Sequence, residues 1–127
     1  MLYVLKKSDP DKYVGQNLRA SEVACKCGTK ICEDILIDSK TIRSWNEVRN
    51  GMGRSLWVNS FHRCQYWNLK QKGTYSSRHL YGLAIDISTK DLNDEEKKRL
   101  FNLCSAAFDV ALVYPTFYHC HNNPASI

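Results

Sequence analysis

The chain has 127 residues, of which 43% are apolar and 24% charged, enough to bury one core and ordinary for a globular domain. No run approaches the ~18 apolar residues that a membrane span requires, so membrane insertion is not expected. The net charge of +5 is scattered, and its tightest basic group, Lys97-Lys98-Arg99, lies beside Asp94, Glu95 and Glu96 on a predicted helix. That group reads as a solvated face and not as a phosphate track, so no nucleic-acid partner is expected.

In chain order, "LYVL" (2–5) reads as a short edge strand. The opening "MLYVLKKSDP" puts its charges after a short apolar stretch, the wrong order for a signal peptide. Synthesis in the cytoplasm without export by that route is the expectation. "NLRASEVAC" (17–25) predicts a turn or short helix. Over 38–50, Ile42, Trp45, Val48 and Met52 recur at helical spacing, with Gly51 and Gly53 as the stop. "SLWVNS" (55–60) reads as a buried strand, and 64–72 as a short helix or loop. "GLAIDIS" (82–88) predicts a strand. The segment 92–108 predicts a helix capped by Asn93, with Glu96 three residues on and Leu100, Leu103 and Cys104 on one face. "VALVYPTFYHCH" (110–121) predicts two strands joined at Tyr114-Pro115-Thr116. This order of elements predicts an α+β fold: one compact domain over 1–127, with a small, mostly antiparallel sheet and flanking helices.

Six cysteines stand at positions 25, 27, 32, 64, 104 and 120. Without an export signal, reduced thiols are favoured over a disulfide framework. "CKCGTKIC" could supply ligands for a structural zinc, with Cys64 as a further one, although its spacing lacks the usual C-x2-C knuckle.

The chemistry concentrates in "SSRHLYGLAID" (76–86). His79 at the lip of a strand and Asp86 within it can converge if Gly82 lets the chain turn sharply. Asp86 shares a strand face with the small Ala84, while Ile85 and Ile87 face the other way. A buried carboxylate needs a partner, and a divalent cation is one solution. In "FYHCH", Phe117, His119 and His121 point to one face, and Tyr118 and Cys120 to the other. Two histidines and a carboxylate with an open fourth position make a catalytic zinc arrangement, which lowers the pKa of a bound water to ~7 and suits amide hydrolysis.

These residues resemble a known family. "SSRHLYGLAIDI" matches the S-x-H-x-x-G-x-A-x-D signature of the M15 zinc peptidases, the D-alanyl-D-alanine carboxypeptidase and phage L-alanyl-D-glutamate endopeptidase group. "VNSFHRCQYWN" (58–68) is similar to its V-x-S-G-Y-R-x-P-x-x-N segment, and "EVACKCG" (22–28) to the E-F-x-C-x-C-G opening of a small prophage branch. "VYPTFYHCH" resembles the closing strand that ends F-V-H-V-D. The chain departs from this pattern in carrying Phe61 for Gly, His62 for the aromatic residue and Gln65 for Pro, which predicts a remodelled turn before Arg63.

The resemblance implies the fold of the hedgehog/D-Ala-D-Ala peptidase group and a Zn2+ cofactor held by His79, Asp86 and His119. It implies that Arg63 binds the substrate's carboxylate or the developing oxyanion, and that Ser77 hydrogen-bonds the substrate peptide. His121, where many relatives carry Asp, is either the general base or the metal ligand with His119 as its helper. Plainer roles stand beside these: Asp86 paired with Arg63 as a structural ion pair, Ser77 shaping the loop, and His121 at a fraying strand end. The implied partner is the peptide stem of bacterial peptidoglycan, cleaved by a monomer acting as a phage or prophage lysis enzyme. Its site of action would be the wall, reached after release or as part of a virion. Two rivals are a catalytically inactive metal- or wall-binding virion module on the same scaffold, and a DNA-associated zinc protein using the cysteine cluster.

Overall fold

The computed structural model describes residues 1–29, 32–74 and 77–124. Strand β1 (Leu2–Lys6) pairs antiparallel with β4 (Asp34–Asp38), and β2 (Tyr13–Gly15) with β3 (Leu18–Arg19). The largest sheet has the order β5-β6-β8-β7, built from β5 (Val58–Ser60), β6 (Ala84–Ser88), β7 (Val110–Val113) and β8 (Phe117–His121), with every neighbour antiparallel. The helices are α1 (Ala20–Val23), α2 (Ser39–Met52), α3 (Gln65–Lys70) and α4 (Asp94–Ala107). Small antiparallel sheets flanked by helices are the α+β class that the order of elements predicts.

Helix α2 turns Ile42, Trp45, Val48 and Met52 into the core, where they meet Ile35, Ile37, Ile85, Ile87 and Leu100. Strand β6 is buried along its whole length, its odd positions in this core and its even positions turned towards the other face. One side of this strand is therefore anchored by packing, which leaves the opposite side free to hold chemistry. No helix among the described residues is long and apolar enough to cross a membrane.

Three boundaries differ from the sequence reading. Helix α2 runs through Gly51 and stops only at Gly53, whose φ of 65° gives the left-handed end. Gly51 is small for another reason: a Cβ there would lie 2.5 Å from Leu103 Cδ2 on α4, so it permits close helix contact. The strand expected over 55–60 is confined to β5: Trp57 is 67% exposed, Val58 is buried in the core, and Leu56 only packs against it. The strand expected from 82 starts at Ala84, because Gly82 closes the preceding 3-10 turn (Arg78–Tyr81) in the left-handed conformation. Strand β4 and the β2–β3 hairpin are elements that the sequence reading did not contain.

Helix α4 starts as expected. The Asn93 side chain accepts from Glu96 N–H at 2.8 Å, and Glu96 Oε1 accepts from Asn93 N–H at 3.0 Å. Asn93→Ala is expected to cost about 1 kcal/mol, read as a lower urea midpoint at unchanged m-value. No change in midpoint would show that the Glu96–Arg54 ion pair (2.7 Å) holds the helix start without the cap.

Candidate functional site

Register, more than sequence distance, assembles the site. Asp86 on β6 lies opposite Ser60 on β5 and opposite His119 on β8, so three residues distant in sequence form one row across the sheet. Directly opposed residues in an antiparallel pair hold their Cβ atoms ~5 Å apart, close enough for a carboxylate to meet an imidazole. His119 Nδ1 is 2.9 Å from Asp86 Oδ1. His79 reaches the same oxygen from the 3-10 turn, with Nε2 at 3.2 Å. Gly82 makes that approach possible, because its left-handed backbone (φ 68°) returns the chain into β6 and packs directly on the backbone of β4.

The donor atoms of His79, Asp86 and His119 all lie within 4.8 Å of one another. Their protonation shows what the cluster needs. His79 Nδ1 is 2.7 Å from the Phe61 carbonyl oxygen, which can only accept, so Nδ1 carries a hydrogen. In a neutral ring Nε2 is then a lone pair, aimed at a carboxylate oxygen in a buried space. These two atoms stand 3.2 Å apart, and either a proton or a metal ion between them satisfies the contact. Burial pushes the Asp86 carboxyl up, but hydrogen bonds to His119 and His79 outweigh it and hold the group well below the ordinary carboxylate range. An ionised carboxylate, two imidazoles and an outer carbonyl fixing one tautomer suit a divalent cation such as zinc.

The other predicted residues surround this trio. Arg63 donates from Nη2 to Asp86 Oδ2 at 3.1 Å and from Nε to Ser60 Oγ at 2.9 Å. The Asp86–Arg63 ion pair therefore exists alongside the histidine contacts, each carboxylate oxygen serving one of them. Ser77 accepts from His79 N–H at 3.2 Å, capping the turn while also lining the cleft. His121 stands outside the trio, its Nδ1 2.9 Å from His119 Nε2. Burial first, then neighbouring His119 and Arg78, lowers the His121 pKa below the ordinary imidazole value. It is the last residue of strand β8, paired there with Ala84 and Val110.

A cleft of about 500 Å³ opens over these groups. Arg63, Lys72 and Arg78 line it beside Asp86, so its wall is cationic around the acidic centre. Sequence reasoning missed Ser60, the Phe61 carbonyl, Arg78 and Asn68. Buried Asn68 donates from Nδ2 to the Thr74 carbonyl at 2.8 Å, fixing the loop that forms one wall of the cleft. Ser60 and Asn68 both lie in the quoted segment 58–68, where position alone could have drawn attention to them. Phe61 acts through its backbone, for which the side-chain pattern gives no signal.

A family model described as Peptidase M15 matches residues 16–121 of the chain. No curated protein matches it, and no solved structure does.

Proposed function

The chain belongs to the M15 peptidase family, a family of metallopeptidases that are generally zinc-dependent, and from that premise we propose that it hydrolyses an amide bond in the peptide stems of bacterial peptidoglycan. The reaction would be of the D-alanyl-D-alanine carboxypeptidase or L-alanyl-D-glutamate endopeptidase type, in a phage or prophage endolysin. The observation that carries this reading is the His79–Asp86–His119 trio set in a cleft with a cationic wall. Stem peptides carry free carboxylates, and guanidinium groups bind carboxylates through paired hydrogen bonds.

His79, Asp86 and His119 would hold the zinc ion. Zinc, when bound, supplies Lewis acidity that activates water and polarises the scissile carbonyl. Arg63 binds a substrate carboxylate or the charge growing on the carbonyl oxygen, with Asp86 and Ser60 holding its fork in place. Ser77 Oγ already accepts from His79 N–H, and its own O–H is oriented by that bond for donation to the peptide. His121 handles the proton. Its Nδ1 stands 2.9 Å from His119 Nε2, beside the trio but outside it, and burial is the main cause that lowers its pKa.

An inactive binding module on the same scaffold draws on one observation, the ion pair of Arg63 with Asp86. Incubation with purified muropeptides, with and without a chelator, separates the two readings by the mass of the products. Cleavage of one stem bond that stops on chelation and returns with zinc is expected. Absence of any chelator-sensitive product, from protein shown to carry its zinc, would overturn the enzyme reading in favour of the module.

A further inference from the structure

A second group of potential ligands lies apart from the cleft's catalytic trio. The sulfurs of Cys25, Cys27, Cys32 and Cys64 all lie within 4.8 Å of one another, and none of the four is in a disulfide. They come from two distant stretches of chain, so their convergence is a property of the fold. Cys104 and Cys120 provide the contrast: both are fully buried within the apolar core and serve as packing. The four clustered thiols include three that are only partly buried, an unfavourable environment for simple core filling.

We propose that Cys25, Cys27, Cys32 and Cys64 form a structural zinc centre that fastens the 25–32 segment to the residue following Arg63. Tetrahedral Zn–S bonds of ~2.3 Å put sulfurs about 3.8 Å apart, so a small inward movement completes the site. A pair of disulfides would need only pairwise proximity at ~2.05 Å, whereas here each sulfur is close to all three others. The surroundings suit thiolates. Cys64 N–H donates to Cys25 Sγ at 3.2 Å, Trp67 N–H to Cys64 Sγ at 3.5 Å, and Lys7 Nζ stands 4.0 Å from Cys27 Sγ. Amide donors and a cation offset the negative charge of a four-thiolate zinc site, and each ligand releases its proton to solvent on binding. The short C-x-C spacing is accommodated because Gly28, at φ 72°, turns the chain immediately after Cys27.

The mechanical consequence is specific. Cys64 caps α3 and directly follows Arg63, whose N–H donates to the His79 carbonyl at 3.0 Å. Zinc at the cysteines would hold Cys64, and with it the backbone next to Arg63. Such a centre is independent of the hydrolytic reading and can be tested without any substrate.

The full chain, reduced and stripped of metal, is reloaded with zinc or cobalt(II) as wild type and as a His79→Ala/His119→Ala variant. The expected result is two ions per wild-type chain and one per variant chain. Cobalt in that variant gives an intense thiolate-to-metal charge-transfer band, which an imidazole–carboxylate site does not produce. Cys27→Ser/Cys32→Ser is expected to lose that ion and band and to lower Tm by more than about 10 °C. If this variant does not fold, the metal count and spectrum of the histidine variant still decide. A histidine variant that binds no metal, or binds cobalt without the band, overturns the centre. An anaerobically purified chain lighter by four hydrogens, indicating two disulfides, does so as well. One iron per chain at these thiols would overturn the zinc assignment.

Discussion

Asp86→Asn is expected to lower kcat/KM for the cleaved stem peptide by about 10³-fold or more, with the fold retained. The side chain keeps its shape but loses its anion at the point where two imidazoles and a guanidinium converge. An amide turned with its N–H₂ towards Arg63 Nη2 sets two donors against each other, and turned the other way it offers the trio an N–H₂ where the carboxylate oxygen stood. Zinc content at the trio should fall together with turnover, since the carboxylate is the only negative charge among its three donors. His121→Ala is expected to be milder, about 10²-fold, because His121 contacts the trio only through His119. Turnover and metal analysis on the same preparations check both, with circular dichroism to confirm folding. Wild-type turnover and zinc in Asp86→Asn would show that the carboxylate serves Arg63 alone.

Gly82→Ala is expected to give the largest loss of stability, about 4 kcal/mol or more, and with it the geometry of His79. Two costs combine. At φ 68° any Cβ is strained, by roughly 1–2 kcal/mol. The added carbon would also lie 2.2 Å from the Leu36 carbonyl oxygen and 2.6 Å from Ile37 Cα, both backbone atoms of β4 that cannot rotate away. Gly53→Ala is the control, with φ 65° but nothing within 4 Å of the new carbon, so only the first cost applies. Urea unfolding of the two variants should therefore differ by several kcal/mol. Equal midpoints would mean that β4 does not press on the turn, and the glycine in the motif would need another explanation.

His79 and Asp86 were legible in the sequence because their relation is local. Seven residues, a glycine and a small residue between them describe a turn running into a strand, and that is how the chain folds there. The Asn93 cap and the one-sided placement of His119 and His121 were legible for the same reason, since helix starts and strand faces are set by neighbours in sequence. Gly51 misled because a glycine near a helix end has the same appearance whether it stops the helix or admits a partner. Leu103 decides which, and it belongs to another helix. Strand β4 was missed although its partner β1 was expected, because no feature within 34–38 states which distant strand it will pair with.

The amino-acid order alone thus determined the donor types, their strand faces and the need for glycine at 82. Tertiary structure decided that Asp86 faces His119 and Ser60, that Arg63 closes on the free carboxylate oxygen, and that Cys64 joins three thiols from the 25–32 segment. The physical reason is that a strand's two faces follow from its own alternation, whereas its register against another strand is set by the burial of both and by the turns between them. A slip of one residue would have preserved each segment's pattern and separated the imidazole from the carboxylate.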